Sequence, residues 1–265
     1  MTSIGYSQRL LAFAVVAFFS VSGAVAQGWI TTLGGSKEDI VHDMISTSDG
    51  GSVLTGYTMS NDGDFAGMNR GAKDVFVFKL SPSGEVAWKK MFGGSADDVA
   101  NAIAPTSDGG FIVVGHSFSN DGDLQGVNLG QSDILVVKVS AQGAVQWSKV
   151  YGGSGEESAN CLVVQENGDI VIAGYTTSND SDFGWMNRGE RDVFVLKINS
   201  RGELLWTKTF GGRDTEIATR IVSSEQGSVV VTGYTSSEDG DFANINKGIV
   251  GVFAMKLDAG GRASK

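Results

Sequence analysis

The glycine pairs Gly34-Gly35, Gly93-Gly94, Gly152-Gly153 and Gly211-Gly212 stand 59 residues apart, and so do Trp29, Trp88, Trp147 and Trp206. A register kept through four copies without an insertion marks a repeat architecture, in which each copy is one supersecondary unit that buries its apolar face against the next. The units run over residues 34–92, 93–151, 152–210 and 211–265.

Within a unit the signal is that of short strands. In the second copy, Val99–Thr106 and Phe111–Ser117 flank Ser107-Asp108-Gly109-Gly110, and Ile134–Val139 and Ala144–Val150 flank Ser140-Ala141-Gln142-Gly143. Glycine-bearing turns of this length join antiparallel strands. With 38 Gly and 2 Pro, glycine supplies the punctuation, which suits many turns needing positive φ. Runs such as Val75-Phe76-Val77-Phe78 are apolar on both faces and so require a sheet covered on both sides. The expected fold is all-β: a β-propeller of four-stranded antiparallel blades, one blade per repeat. The fourth copy stops where its fourth strand should begin, and residues 27–33 are a spare strand of that type. The expectation is a ring closed by the N-terminal strand within a monomer, the rival being two chains paired head to tail.

Residues 1–26 read as an export signal, with Arg9 ahead of the apolar run Leu10–Phe19 and Ala24-Val25-Ala26 as a cleavage site, leaving residues 27–265 as one domain. This implies a secreted or periplasmic protein without a membrane span. Cys161 is the only cysteine, so no intrachain disulfide is expected. The net charge of −10 argues against nucleic acid as a partner.

In an up-and-down blade, the turns joining strands one to two and three to four leave by one face. The loops joining strands two to three and blade to blade leave by the other. Most of the 30 acidic residues fall in these longer loops, making that face electronegative. Long loops on a rigid scaffold are where binding is usually placed. Asp39, Asp98, Glu157 and Glu216, with Trp185, which stands where the first copies have Gly67 and Gly126, are the candidate ligand-face residues.

The loop pattern places Asp62, Asp64 and Asn69 in the first copy, Asp121, Asp123 and Asn128 in the second, Asp180, Asp182 and Asn187 in the third, and Asp239, Asp241 and Asn246 in the fourth. Oxygen ligands two residues apart suit Ca²⁺, although Phe65 and Gly71 stand where an EF-hand loop needs its glycine and glutamate. The competing reading is that the same side chains cap turn amides. The repeated tryptophans are read as packing between blades. Lys79, Lys138, Lys197 and Lys256 are read as strand-end cations paired with carboxylates. No catalytic residue is identified: His42 and His116 occupy unrelated repeat positions, and carboxylates copied four times lack the asymmetry of an acid–base pair.

The runs Trp88-Lys89-Lys90-Met91-Phe92-Gly93-Gly94-Ser95, Asp108-Gly109-Gly110-Phe111-Ile112-Val113-Val114-Gly115 and Ser119-Asn120-Asp121-Gly122-Asp123 resemble the roughly 60-residue repeats of secreted and cell-surface bacterial β-propeller proteins. Val137-Lys138-Val139 through Gly143 to Trp147 is more distantly similar to the tryptophan-docking turn of quinoprotein (PQQ-type) propellers. The resemblance implies fold and location. Four repeats and the lack of a quinone pocket keep dehydrogenase activity from being carried over. The expected function is non-catalytic binding or scaffolding, with a protein or glycan ligand on the acidic long-loop face and Ca²⁺ as the sole candidate cofactor. The alternative is a polysaccharide hydrolase using carboxylates of the same face.

Overall fold

The computed structural model describes residues 28–124, 128–184, 186–244, 246 and 248–263. The expected export signal and Trp185 lie outside these residues. Residues 1–30 and residues 31–265 are separate units, and the latter form the body described below.

The chain is all-β, built of propeller blades. Blade one comprises β1 (Asp39–Ser46), β2 (Ser52–Thr58), β3 (Asp74–Leu80) and β4 (Val86–Phe92). Blade two comprises β5 (Asp98–Pro105), β6 (Phe111–Ser117), β7 (Asp133–Val139) and β8 (Val145–Tyr151). Blade three comprises β9 (Glu157–Val164), β10 (Ile170–Thr176), β11 (Asp192–Ile198) and β12 (Leu204–Phe210). Blade four comprises β13 (Glu216–Ser223), β14 (Val229–Thr235) and β15 (Gly251–Leu257). Each is an antiparallel sheet in sequence order.

The expected closing strand is not detected among the described residues. Among the described residues the fourth sheet has three strands, and residues 28–38 hold none. Gly34, Gly35, Ser36 and Lys37 instead donate their N–H groups to side-chain oxygens of blade one, which fixes the end of that segment on the first blade.

Successive blades meet through one apolar seam repeated three times. Val53, Val75, Val77 and Phe92 of blade one pack with Ala100, Ile103, Val113, Leu135 and Val137 of blade two. Equivalent residues make the second seam, where Ile134 and Val136 meet Phe194 and Leu196, and the third, where Val193 and Val195 meet Val231 and Phe253. β3, β7 and β11 are buried at every position, which explains why their sequences are apolar without alternation. Backbone bonds reinforce each seam: Asp98, Glu157 and Glu216 donate their N–H to the carbonyls of Lys73, Ser132 and Arg191.

The tryptophans close the seams on the tight-turn side. The indole N–H of Trp88 donates to Ala141 O at 3.1 Å, that of Trp147 to Ser200 O at 3.3 Å and that of Trp206 to Ala259 O at 3.1 Å, each in the next blade's strand three-to-four turn. Gly143 in that turn has φ +81°, and a Cβ there would stand 2.8 Å from the Trp88 ring. Glycine is therefore required twice over, for the left-handed backbone and for the space. Lys79 and Lys138 are buried and pair with Asp49 and Asp108 of their own blade at 2.7 Å, and Lys197 pairs with Asp169 at 2.9 Å. Lys256, in the open fourth blade, is exposed.

Gly67 also has positive φ, +71°, but a Cβ there meets nothing. Gly143→Ala is expected to lose more stability than Gly67→Ala by about 1–3 kcal/mol, the scale of a strained backbone position, with urea midpoints as the readout. Equal losses would mean that the tryptophan dock contributes nothing.

Candidate functional site

The two long loops of each blade fold into one another, as strand order requires. In blade two the N–H groups of Gly94, Ser95 and Ala96 point to Asp98 Oδ2 at 2.8 Å, Asp121 Oδ1 at 2.7 Å and Ser119 Oγ at 3.1 Å. In blade three Gly152, Gly153, Ser154 and Gly155 donate to Asp182 at 3.0 Å, Glu157 at 2.9 Å, Asp180 at 2.8 Å and Ser178 at 2.8 Å. In blade four Gly211, Gly212, Arg213 and Asp214 donate to Asp241, Glu216, Asp239 and Ser237 between 2.8 and 3.2 Å. A concave run of consecutive N–H groups is an anion nest, and here the anions are the protein's own carboxylates. The glycine pair is needed because a Cβ on Gly94 would collide with Asp121.

The candidate metal ligands are thus occupied as turn acceptors. Asp62, Asp121, Asp180 and Asp239 each accept the N–H of the third nest residue, while Asp64, Asp182 and Asp241 accept that of the first. Asp123 pairs with Arg70 across a seam, as Asp241 does with Arg188 at 2.9 Å. Asn69, Asn128 and Asn187 donate to the carbonyls of Thr58, Ser117 and Thr176 at 3.1 Å and accept the N–H two residues on at 2.9 Å. Asn246 keeps the second bond, to Gly248 N, and its Nδ2 has no partner among the described residues. Among the described residues no group of three or more His, Cys, Asp or Glu side chains converges to hold a metal ion.

Three of the candidate ligand-face residues lie deeper than expected. Asp98, Glu157 and Glu216 are 0 % exposed, and Asp39 is half-buried. Besides the nest they accept hydroxyl bonds from Ser117, Thr176 and Thr235 on strand two, so they tie the first strand to the loop. Sequence position alone put them in the loop; being the first residue of a strand covered by the preceding blade buries them. The carboxylates left exposed include Glu38, Glu190, Asp214 and Glu238.

The sequence reading passed over one loop residue. A single 3₁₀ turn after the acidic pattern sends Phe65, Phe183 and Phe242 into the blade, against Phe76, Phe194 and Phe253 at ring separations of 5.1–5.6 Å. The signal was present as a large apolar residue at the 59-residue period, Phe in three copies and Leu124 in the second, directly after the acidic pattern.

Two clefts flank blade four. One of about 340 Å³ opens on the long-loop face between Arg213, Asp214, Ser236, Glu238, Asp239, Gly248 and Ile249. A larger one, about 560 Å³, lies on the opposite face between the turns of blades three and four, lined by Gln165, Glu166, Asn167, Lys197, Glu225 and Gln226 among others. It opens where Glu225-Gln226-Gly227-Ser228 stands in place of the Ser-Asp-Gly-Gly turn of the first two copies.

Burial raises Asp74, Asp133 and Asp192 to a pKa of about 6, helped by the neighbouring carboxylates Asp98, Glu157 and Glu216. Each has one buried oxygen without a hydrogen-bond partner, while the other accepts the N–H of Arg70, Leu129 or Arg188. They sit in the seams and line neither cleft. Asp123, Asp182 and Asp241 add negative charge beside them, and the Arg70 and Arg188 guanidiniums oppose it at two of the three.

No family model matches the chain. The regulatory protein FlaEY of Caulobacter vibrioides is 27 % identical over 184 residues, 64 % of this chain and 19 % of that protein. An uncharacterized WD repeat-containing protein of Acanthamoeba polyphaga mimivirus is 25 % identical over 130 residues, 46 % of this chain and 9 % of its own length. The chain thus spans under a fifth of either relative. Among solved structures, a protein of unknown function from Bacteroides caccae aligns with a TM-score of 0.37 at 13 % identity, covering 84 % of this chain and 79 % of the other. Cobalt-substituted apocarotenoid oxygenase from Synechocystis aligns with a TM-score of 0.40 at 14 % identity, covering 83 % and 47 %.

The raised carboxylates give stability a sign in pH. A carboxyl with a folded pKa near 6 against about 4 unfolded binds its proton more tightly when folded, so its contribution is full below pH 4 and is lost as pH rises through 6. Burial lowers His116 to about 4, which acts the other way over the same range, while burial also raises Asp98 and Asp182, which act with the three. The melting temperature is expected to rise by a few degrees from pH 7.5 to pH 5.5. The triple variant Asp74→Asn, Asp133→Asn, Asp192→Asn should be stabilised at pH 7.5 and lose most of that dependence. An unchanged profile would show that the seams do not hold these protons.

Proposed function

We propose that this chain is an exported, non-catalytic binding or scaffolding module that presents a preformed acidic face to a protein or glycan partner. The observation that carries this reading is the division of labour among the loop carboxylates. One set is spent inside the face, holding the nests, and a second set, Glu38, Glu190, Asp214 and Glu238, stands exposed on the surface so stiffened. A face ordered before binding loses little entropy on contact. Its charge favours a cationic surface on the partner and steers the encounter. The WD repeat-containing relative supports a general interaction role for such repeats.

The labelled protein, probed against a glycan array and an array of exported proteins, is expected to retain cationic members. Replacing Glu38, Glu190, Asp214 and Glu238 by Lys should abolish that retention without lowering the melting temperature. Retention unchanged in the variant would contradict the assignment of this face.

In this reading the loops hold their shape through their own hydrogen bonds. The melting temperature is expected to be the same in excess Ca²⁺ as in chelator, since an ion bound only by the folded state would raise it by mass action. A rise of several degrees, lost on changing Asp62, Asp121, Asp180 and Asp239 to Ala, would make the loops calcium sites instead.

A further inference from the structure

We propose that the two ends of the row of blades are the two halves of one more seam, and that the partner is a second copy of this chain, the two pairing head to tail into one eight-bladed ring.

The leading face of blade four has the composition of a seam but lacks its cover. Val252 is 85 % exposed, whereas its repeat equivalents Val75, Ile134 and Val193 are fully buried. Ala254 is exposed where Val77, Val136 and Val195 are buried, and Val222 is 58 % exposed where Ile45 and Val163 pack into seams. β15 pairs with β14 on one side and is open along the other: the bridge from Leu257 to Ala263 marks where a fourth strand starts, and among the described residues no strand pairs with Val252–Met255 on that outer edge.

The complementary half is at the other end. Leu33 packs against the Phe76 and Phe78 cluster of blade one, in the position Phe92 takes against blade two. Gly34 to Lys37 make the same four nest bonds that begin the third and fourth repeats, the last three of which also begin the second. The segment before Gly34 therefore stands in the register of a fourth strand belonging to a preceding blade. By the 59-residue period, Thr31 falls opposite Ala254 and Leu33 opposite Val252, as Lys90 falls opposite Val77 and Phe92 opposite Val75.

A second copy fits both ends at once. Among the described residues of 31–265, every substantial packing between strands of different sheets joins consecutive blades, and none joins the first to the fourth. Two chains related by a twofold axis would each give the other the missing strand and seam, and the ring closes with no edge exposed. Eight blades lie within the normal range for propellers.

The test is a cysteine pair, Thr31→Cys with Ala254→Cys, in the full chain, where the native Cys161 is buried. Light scattering of the unmodified protein at micromolar concentration should give twice the chain mass. Mild oxidation of the double variant should give a disulfide-linked dimer on a denaturing gel. Val252→Asp should halve the mass while leaving the far-ultraviolet circular dichroism unchanged, and Glu238→Lys, on the loop face, should leave it dimeric. A monomer mass for the unmodified protein, a disulfide closed within one chain, or an open ladder of higher oligomers would each overturn the proposal.

Discussion

Everything in this molecule depends on the seam between one blade and the next. A four-stranded sheet with valine, isoleucine and phenylalanine on both faces cannot stand in water, and burying a side chain of that size is worth about 1.5–3 kcal/mol. The repeat solves this by giving each blade a leading face, with Val53, Val75 and Val77 in the first copy, and a trailing face, with Leu54, Phe76 and Phe78, that fit each other and not themselves. Such a unit stacks in one direction only. Its stability is the sum of intrinsic blades and nearest-neighbour seams.

Each seam is locked differently at its two rims. At the tight-turn rim a tryptophan reaches across to the next blade's turn, where a glycine with left-handed backbone makes room for the ring. At the long-loop rim the lock is polar: consecutive N–H groups after each strand four meet the aspartate, glutamate and serine oxygens of the following blade. The acidic character that suggests a binding surface is in large part this second lock. Its carboxylates accept the loop amides of the neighbouring strand end. The outward-facing remainder, which differs from copy to copy, gives the face its individual character.

Much of this was legible in the sequence because the repeat multiplies every local signal by four. The turn at Ser107-Asp108-Gly109-Gly110, the strands on either side and the meeting of both long loops on one face follow from turn chemistry and strand parity. What spacing could not reveal was depth. Asp98, Glu157 and Glu216 look like loop acids next to Asp97, Glu156 and Thr215, yet they begin the strand that slides under the preceding blade and are fully buried. Phe65, Phe183 and Phe242 were hidden for the opposite reason, sitting in a polar loop but turned inward by one 3₁₀ turn. The matching of strand types fixes the kind of strand that completes a blade and says nothing of which chain supplies it.

The loop face is held rigid by its own carboxylates. Native-state hydrogen exchange resolved by residue tests this directly. The N–H groups of Ser95, Ser154 and Arg213 lie in exposed loops and would exchange quickly if solvated, but each is bonded to an aspartate of the neighbouring loop. Their protection is expected to be comparable to that of the strand amides of β6 and β10 and to be lost on changing Asp121, Asp180 and Asp239 to Ala. Exchange at the rate of a free loop in the unmodified protein would contradict that rigidity.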